Sequence, residues 1–272
     1  MPVNDELGKR MKEYYEQIPK TKLMRRTPVA LRLDGKAFHT FTRGFQKPFD
    51  YVLIHAMQKT MKYLCENIQG CVFGYTQSDE ITLILQDYKK FSTAAWFDYE
   101  VQKICSIAAS MCTMIFNKEF GRLVQQEIFE ARGSLAPQSV VLQEKIEKYH
   151  QALLSAQEKG AMFDCRVFNI PKEEVVNLVY WRQTDATRNS IQMVGQAYFS
   201  PKQLHKKTCG QIQEMLFQQE GINWDKYPTF LKRGAACVYK NSKWEVDLEM
   251  PTLVGEDRGY LQNILDAIQE EG

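Results

Sequence analysis

Three acidic side chains stand where the sequence predicts strands to end or turn. Asp34 is followed by Gly35 at the end of an apolar run, and Asp79 and Glu80 lie between two further apolar runs. Carboxylate oxygens are ligands that Mg²⁺ prefers, and this ion also retains waters and takes up phosphate oxygens. Two such ions about 3.5–4 Å apart stabilise both the attacking and the leaving oxygen of a displacement. The three acids, with the carbonyl of Gly35, therefore suit magnesium-dependent phosphoryl transfer.

The spacing of apolar residues predicts the elements that would bring these carboxylates together. In chain order they are a strand over 29–34, a helix over 50–69 capped by Asp50, a hairpin over 71–76 and 81–85 with a four-residue polar turn, a helix over 93–117 and a strand near 165–170. This order is βαββαβ, the ferredoxin-like split arrangement. The first strand and the hairpin then share one antiparallel sheet, so Asp34 and Asp79 can meet at one edge, as in a polymerase palm.

The remainder of the chain predicts a helical elaboration of this core. We expect an amphipathic helix over 4–18, a largely polar middle that is helical or loop, helices over 173–199 and 201–220, the first broken near 187–190, and a hairpin over 235–239 and 244–247. The fold class is therefore α+β. The simplest organisation is one catalytic unit spanning 1–272, in which 1–170 form the palm-like core and 171–272 the helical and hairpin elaboration.

Composition excludes several other classes of protein. The chain has 272 residues, of which 44% are hydrophobic and 25% charged, and these are ordinary values for a globular protein. Its seven cysteines are odd in number and form no CxxC pair, which argues against a disulfide framework and against a cysteine zinc site. No run of apolar residues is long enough to cross a membrane, and the first residues are charged. We therefore expect a cytoplasmic enzyme without a membrane partner.

The net charge of +2 conceals two basic blocks. Residues 20–47 contain eight Lys or Arg and one acid, and residues 226–243 contain five bases and no acid. Local basic blocks on a nearly neutral chain suit a polyanion bound at one face, although lysines also serve solubility.

Taken residue by residue, the acidic signals leave alternatives open. An Asp-Gly step is a common turn, and acids often decorate hairpins, so each motif alone is more often structural. The same palm also supports nucleotide cyclases, although the hairpin here lacks the paired glycines of a GGDEF sequence. A non-catalytic RNA-binding module is a further alternative, and it predicts that replacing Asp34 or Asp79 changes no activity.

Five ordered motifs over about 155 residues carry a resemblance to a known family. They read RLDGKAFH at 32–39, FQKP at 45–48, GYTQSDE at 74–80, FDCRV at 163–167 and WRQTD at 181–185. The chain thus resembles the tRNA-histidine guanylyltransferase (Thg1) family. It departs from the eukaryotic members after 185, where a CHINNLYN run is replaced and only Asn189 is retained. Asp98 and Glu100 also stand where the family has bases, so the resemblance is closest to the bacterial and archaeal Thg1-like proteins.

The resemblance implies a metal-dependent nucleotidyltransferase that extends the 5′ end of tRNA in the 3′-to-5′ direction. Addition would be template-dependent and would repair 5′-truncated tRNAs, after activation of the 5′ end by ATP or GTP. Addition of guanosine at position −1 of tRNA-His is the alternative activity. Two Mg²⁺ ions are the implied cofactors, ATP, GTP and other nucleoside triphosphates the substrates, tRNA the partner and a homotetramer the assembly.

The resemblance also assigns roles to residues. Asp34 and Asp79 would hold the metals with the Gly35 carbonyl, and Glu80 would be a supporting acid. The nucleotide would be bound by residues of the first loop and the hairpin turn: Gly35, Lys36, Ala37, Phe38, His39, Lys47 and Ser78. The activated 5′ end and the tRNA would be contacted by basic or polar side chains: Arg32, Lys103, Arg166, Arg188, Asn189, Lys22, Arg25, Arg26, Lys232 and Arg233.

Overall fold

A six-stranded antiparallel sheet forms the centre of the molecule. The computed structural model describes residues 5–89, 92–133 and 140–267. The strands are β1 Val29–Gly35, β2 Cys71–Gln77, β3 Glu80–Leu85, β4 Phe163–Asn169, β5 Ala235–Lys240 and β6 Lys243–Asp247, in the spatial order β4-β1-β3-β2-β5-β6. The first four strands have the order of a split βαββαβ arrangement, so the predicted α+β, palm-like fold is confirmed. The late hairpin β5–β6 continues the same sheet beyond β2.

Helices cover both faces of this sheet. They are α1 Glu6–Met11, continued by a π-helical turn over Lys12–Glu16, α2 Phe38–Phe41, α3 Tyr51–Asn67, α4 Val101–Gly133, α5 Val140–Lys159, α6 Lys172–Tyr198, α7 Pro201–Leu204, α8 Cys209–Glu220, α9 Thr229–Arg233 and α10 Gly259–Asp266. Short 3₁₀ turns lie at Trp96–Tyr99, Trp224–Lys226 and Gly255–Arg258. Within the described ranges, every helix is too short or too polar to span a bilayer.

The alternation of β1 divides the core between two layers. Leu31 and Leu33 point to α3 and α4 and are completely buried there, whereas Ala30 points to the layer of α6 and α10. The residues that follow Ala30 on its face are Arg32 and Asp34, so this face changes from apolar to charged toward the end of the strand. The sheet therefore presents a polar end on the α6 side.

The strand register places the charged residues of that end in two rows. Across β4, β1, β3 and β2, the first row reads Asp164, Asp34, Glu80 and Gln77, and the second reads Arg166, Arg32, Thr82 and Tyr75. Side chains directly opposite each other on adjacent strands have Cβ atoms about 4.5–5.5 Å apart. Carboxylates from three strands thus line up beside a row that carries two arginines.

Local elements agree with the sequence except where tertiary contacts intervene. The hairpin turn contains two residues, Ser78 and Asp79, instead of four, because Gln77 and Glu80 pair across it. The second helix begins at Val101 instead of residue 93, and it continues to Gly133, far beyond the expected end at 117. The positive φ angles of Phe97 and Asp98 explain the late start, since a right-handed helix excludes them.

Two predictions for the helical elaboration are wrong. Helix α6 runs through 187–190 without a break, because Ser190 is buried and its hydroxyl donates to the carbonyl of Lys232 at 3.1 Å. The predicted helix over 201–220 is two helices, α7 and α8. They are separated where Lys206 has a φ of 60° and where Thr208 caps α8 through a hydrogen bond from Gln211.

The amino-terminal helix buries none of its described residues. The apolar side chains predicted to lie close to one face of this helix are all exposed to solvent, and the last of them follows the end of the helix: Leu7, Met11, Tyr14, Tyr15 and Ile18. The predicted start of this helix, residue 4, lies outside the described residues.

Candidate active site

The end of β1, the loop after it and the hairpin turn enclose one large cleft. Its volume is about 780 Å³. The residues that line it come from the loop, the turn and helices α2, α3 and α6: Gly35, Ala37, Phe38, His39, Thr42, Arg43, Gly44, Phe45, Gln46, Lys47, Pro48, Asp50, Leu53, Ser78, Asp79, Met193 and Gln196. Of the seven residues predicted to bind a nucleotide, all except Lys36 are in this lining.

The two predicted metal ligands are tied together through the backbone. The N–H group of Gly35 donates to the carbonyl of Asp79 at 3.1 Å, which fixes the hairpin turn against the end of β1. Burial raises the pKa of Asp79, and the neighbouring negative charge of Asp34 raises it further. The hydroxyl of Ser78, which donates to Asp79 Oδ1 at 2.9 Å, opposes this shift. Two carboxylates that repel each other at a partly buried position favour a bound cation.

The donor set fits a hard metal ion. Among the described side chains, neither Asp34 nor Asp79 forms an ion pair with a lysine or an arginine. The same described ranges hold no group of three or more His, Cys, Asp or Glu side chains that could bind a metal. Mg²⁺ needs no such protein cage, because it usually takes one or two carboxylates and completes its shell with waters and substrate phosphates. The pair therefore suits Mg²⁺ better than zinc, which takes three or four protein ligands.

Glu80 is committed to a different contact. Its Oε1 accepts from Arg182 Nε at 2.7 Å, and its Oε2 lies 3.9 Å from Arg32 Nε. Burial raises the pKa of Glu80, while the charges of Arg182 and Arg32 oppose the rise. The Nη2 group of Arg182 donates to Asp185 Oδ2 at 2.9 Å. Glu80 therefore joins the hairpin to α6 and holds the turn that carries Asp79.

The loop after β1 owes its shape to an aromatic cluster. The ring of Phe38 packs against Phe41, Phe116 and Phe163 with centroid distances of 5.0, 5.7 and 5.2 Å, which turns the backbone of the loop toward the cleft. Ala37 adopts a left-handed conformation with φ of 55° before the short helix α2. The first N–H groups of any helix lack partners within it, so this backbone can receive an anion.

Lys36 does not belong to the predicted phosphate cradle. Its N–H group donates to the carbonyl of Met162 at 2.8 Å, and the residue is absent from the cleft lining. Of the predicted cradle, Ala37, Phe38 and His39 line the cleft, and their contact with a phosphate stays a prediction. Lys47 is exposed and is part of the lining of the same cleft.

Of the cations predicted to meet the activated 5′ end, Arg32 and Arg166 lie in the charged rows of the sheet, whereas Lys103 lies on a helix that packs against the opposite face. Arg166 is exposed and lies 3.7 Å from Asp164, and Arg32 lies opposite it on β1. Lys103 is on α4, with its ammonium 4.9 Å from the ring of Phe97. On α6, Asp185 accepts hydrogen bonds from both Arg188 and Asn189.

Two of the predicted tRNA contacts in the amino-terminal basic block are paired with acids. Lys22 contacts Asp98, and Arg25 donates to Asp87 at 2.5 Å and lies 3.4 Å from Asp98. The backbone N–H group of Arg26 donates to the same Asp87 at 2.8 Å. The acid at position 98, which the family resemblance marked as unusual, thus neutralises bases of the segment before β1.

The predicted contact of Lys232 with the tRNA is wrong. This lysine was expected to contact phosphates, but it is only 7% exposed, and its ammonium donates to the carbonyl of Asp225 at 2.6 Å. Burial and the neighbouring Arg233 lower its pKa. Lys232 therefore serves the packing around Trp224, whereas Arg233 beside it is partly exposed with its guanidinium 5.6 Å from the same ring.

Sequence reasoning missed Arg182, Asp185 and Asp164 as parts of the site. Arg182 and Asp185 stand three residues apart in the WRQTD motif, which is the spacing of an ion pair on one helix face. An arginine inside a predicted amphipathic helix also requires an acidic partner when it is buried. Asp164 could be found only from the register of β4, since it lies directly opposite Asp34.

Comparison with known proteins identifies the family. A model of the family described as Thg1, tRNA-His guanylyltransferase, matches residues 8–171, which is more than half of the chain. The chain belongs to the Thg1 family. Members of this family are nucleotidyltransferases, so the resemblance and the enzyme class predicted from the motifs are both confirmed.

Similar proteins extend over nearly the whole of this Thg1-family chain. A bacterial Thg1-like protein in complex with ATP is 37% identical and superposes with a TM-score of 0.77, covering 95% of this chain and 99% of that one. A second structure of a bacterial Thg1-like protein, in complex with GTP, is 35% identical with a TM-score of 0.72, covering 96% and 99%. The uncharacterized protein R259 of Acanthamoeba polyphaga mimivirus is 30% identical over 242 residues, 85% of this chain and 76% of that protein.

Proposed function

We propose that this enzyme adds nucleotides to the 5′ end of tRNA in the 3′-to-5′ direction, under the direction of a template base, and repairs 5′-truncated tRNAs in the cytoplasm. One observation carries the proposal. Asp79 of the hairpin turn lines a cleft of about 780 Å³ together with Gly35 and the loop after β1, and Asp34 directly precedes Gly35, whose N–H group donates to the carbonyl of Asp79. Support comes from the bacterial Thg1-like proteins, which were solved with ATP and with GTP.

The direction of growth requires two phosphoryl transfers. In the first, an oxygen of the RNA 5′-monophosphate attacks the α-phosphorus of ATP, a new P–O–P bond forms, and pyrophosphate leaves. In the second, the 3′-hydroxyl of the incoming nucleoside triphosphate attacks the activated 5′ phosphorus, and AMP leaves as the hydroxyl proton passes to solvent. An RNA that already carries a 5′-triphosphate enters at the second transfer and releases pyrophosphate. Positioning and neutralisation of charge supply most of the rate in such reactions.

A different group of residues in or near the cleft would meet each of these requirements. Asp34, Asp79 and the Gly35 carbonyl would hold two Mg²⁺ ions, which neutralise charge on the phosphates when bound. The backbone of residues 37–39, with Lys47 and Ser78, would hold the triphosphate. Arg32, Lys103 and Arg166 would receive the activated 5′ end, and Arg188 and Asn189 would face the nucleotide or the tRNA.

The test of this function incubates the protein with Mg²⁺, ATP, labelled nucleoside triphosphates and a tRNA that lacks its first nucleotide. We expect template-matched growth at the 5′ end, which Asp79→Asn and Asp34→Asn abolish while the fold is retained. The matched control is Asp257→Asn, an exposed acid far along the chain, which should extend the RNA at the wild-type rate. Folded protein that extends no truncated tRNA, or that forms a cyclic product from GTP alone, would refute the assignment.

Guanosine addition to intact tRNA-His is the second candidate function. It is favoured by the family model and by relatives such as the tRNA(His) guanylyltransferase of Schizosaccharomyces pombe, which is 24% identical over 237 residues. Intact tRNA-His in the same assay separates the two functions. Extension of this substrate without a template base, at a rate equal to repair, would make guanosine addition the main activity.

We also propose that the enzyme assembles as a homotetramer. A tRNA is larger than the surface of one palm, and the exposed apolar side chains of α1 provide a surface for another subunit. Light scattering coupled to size-exclusion chromatography should give about four times the chain mass of 31.7 kDa. A mass equal to that of one chain, at a concentration that supports extension, would contradict the assembly.

A further inference from the structure

Trp181 is a large aromatic side chain left exposed at the edge of the charged rows. It is 53% exposed, whereas Trp96 and Trp224 are only 8% and 5% exposed. A single exposed apolar side chain is ordinary on a protein surface. The position and the rigidity of this ring distinguish it from the others.

Two arginines hold the indole in place beside the hairpin turn. Arg182 Cζ lies 4.5 Å from the ring centroid of Trp181, and Arg32 Cζ lies 5.8 Å from it. Arg182 is itself fixed by hydrogen bonds to Glu80 at 2.7 Å and to Asp185 at 2.9 Å. Because Glu80 follows Asp79 directly, the indole has a defined position relative to the proposed metal ligands. A ring held in this way loses little conformational entropy when a ligand stacks on it.

The open face of β1 and β4 provides the charged floor beside this ring. Arg32 and Arg166 lie opposite each other, and Arg166 is exposed. Asp34 and Asp164 form the adjacent row, two residues further along the strands and about 7 Å away. The floor therefore offers cations to a phosphate next to the carboxylates, and the indole offers a surface to a base. A nucleotide requires both.

We propose that Trp181 is a stacking platform for the nucleobase at the 5′ end of the RNA, with the phosphate of that nucleotide over Arg32 and Arg166. The identity of the ligand rests on the proposed function. Trp181 lies outside the lining of the large cleft, so a nucleoside triphosphate in that cleft and the RNA end occupy separate places. Stacking accepts any base, which leaves the choice of the incoming nucleotide to the template.

The first experiment measures intrinsic tryptophan fluorescence as a truncated tRNA is added without nucleotides or Mg²⁺. A base stacked on the exposed indole should quench the emission of the wild-type protein, and Trp181→Phe should remove the quench while binding is retained. Trp181→Leu should weaken the affinity for the RNA by roughly 5- to 150-fold, the range expected for one stacked base. Phe217→Leu, which alters another exposed aromatic residue, should leave the affinity unchanged.

The second experiment removes the base instead of the ring. A tRNA with an abasic first nucleotide should bind the wild-type protein as weakly as intact RNA binds Trp181→Leu, and the combination should show no further loss. Equal affinity of Trp181→Leu and Trp181→Phe, with circular dichroism showing both folded, would overturn the platform, as would a quench that persists in Trp181→Phe. These measurements need no catalysis, so a failure of nucleotide addition would refute the proposed function without deciding the platform.

Discussion

The ion pair between Arg182 and Glu80 allows a quantitative prediction. Both side chains are buried, and Arg182 is the donor at 2.7 Å. Removing one partner of a buried pair leaves an uncompensated charge, which costs about 3–5 kcal/mol. For a chain of this size, where each kcal/mol shifts the melting temperature by about 2–4 °C, Arg182→Met should melt about 6–20 °C below the wild type.

The sign of the pH dependence follows from Glu80. Burial raises its pKa above the ordinary value of 4.5, and Arg182 opposes the rise, so Arg182→Met should raise this pKa further. A group whose pKa is raised in the folded state favours folding in its protonated form, and this contribution is lost as the pH rises through the folded pKa. The stability deficit of Arg182→Met should therefore shrink between pH 8 and pH 5, by at most about 1.4 kcal/mol per pH unit.

Thermal unfolding followed by circular dichroism measures both effects, with the wild type at each pH as the reference. Glu80→Gln in the Arg182→Met background removes the unpaired charge, so the double variant should be more stable than Arg182→Met alone. Such a coupling is about 0.5–3 kcal/mol for residues in contact. A melting temperature within 2 °C of the wild type, or a deficit that grows on acidification, would show that the buried charge is not what this arginine compensates.

Four further variants test other contacts. In Gly35→Ala, the added Cβ would lie 2.2 Å from the clustered ring of Phe38, so we expect a loss of about 1–3 kcal/mol in urea unfolding and weaker nucleotide binding by calorimetry. Asp50→Ala removes the cap of α3, and urea unfolding should show a loss of about 1–2 kcal/mol; an unchanged midpoint would contradict the capping role. Lys232→Met should leave the salt dependence of tRNA binding unchanged, because Lys232 is buried. Arg166→Met should reduce the slope of the logarithm of the binding constant against the logarithm of the salt concentration by about one. Equal slopes for both variants would show that Lys232 contacts a phosphate after all.

The elements that carry the two proposed metal ligands were predictable because they depend on local patterns. Apolar alternation defines β1, and a polar turn between two apolar runs defines the hairpin, so the ends of these strands are fixed by residues close in sequence. The cap at Asp50 is likewise local, because its side chain contacts only the first turn of the helix. The residues of the loop and the turn that line the cleft with Asp79 could therefore be predicted from the sequence, whereas Met193 and Gln196 of α6 reach it only through the tertiary structure.

The tertiary structure decided which polar side chains are buried and which are exposed. Lys232 and Arg182 are both basic residues next to apolar ones, yet both are buried. Lys232 donates to the carbonyl of Asp225, seven residues before it, and Arg182 donates to Glu80, which is 102 residues away. A count of basic residues along the sequence cannot distinguish such buried side chains from exposed ones. Likewise, Ser190 lies in a run of poor helix formers, yet α6 is continuous there, and Ser190 is buried with its hydroxyl donating to the carbonyl of Lys232 on α9.

We could predict from the sequence the fold class, the strand that carries Asp34, the hairpin that carries Asp79, and the family, because hydrophobic periodicity and short motifs involve neighbouring residues. The tertiary structure alone decided which carboxylate remains available for a metal and which is bound to arginine, which bases reach the surface, and that the exposed ring of Trp181 stands beside the charged rows. These outcomes depend on the register between strands and on the packing of α6 across them, and both are set by contacts between residues far apart in the chain.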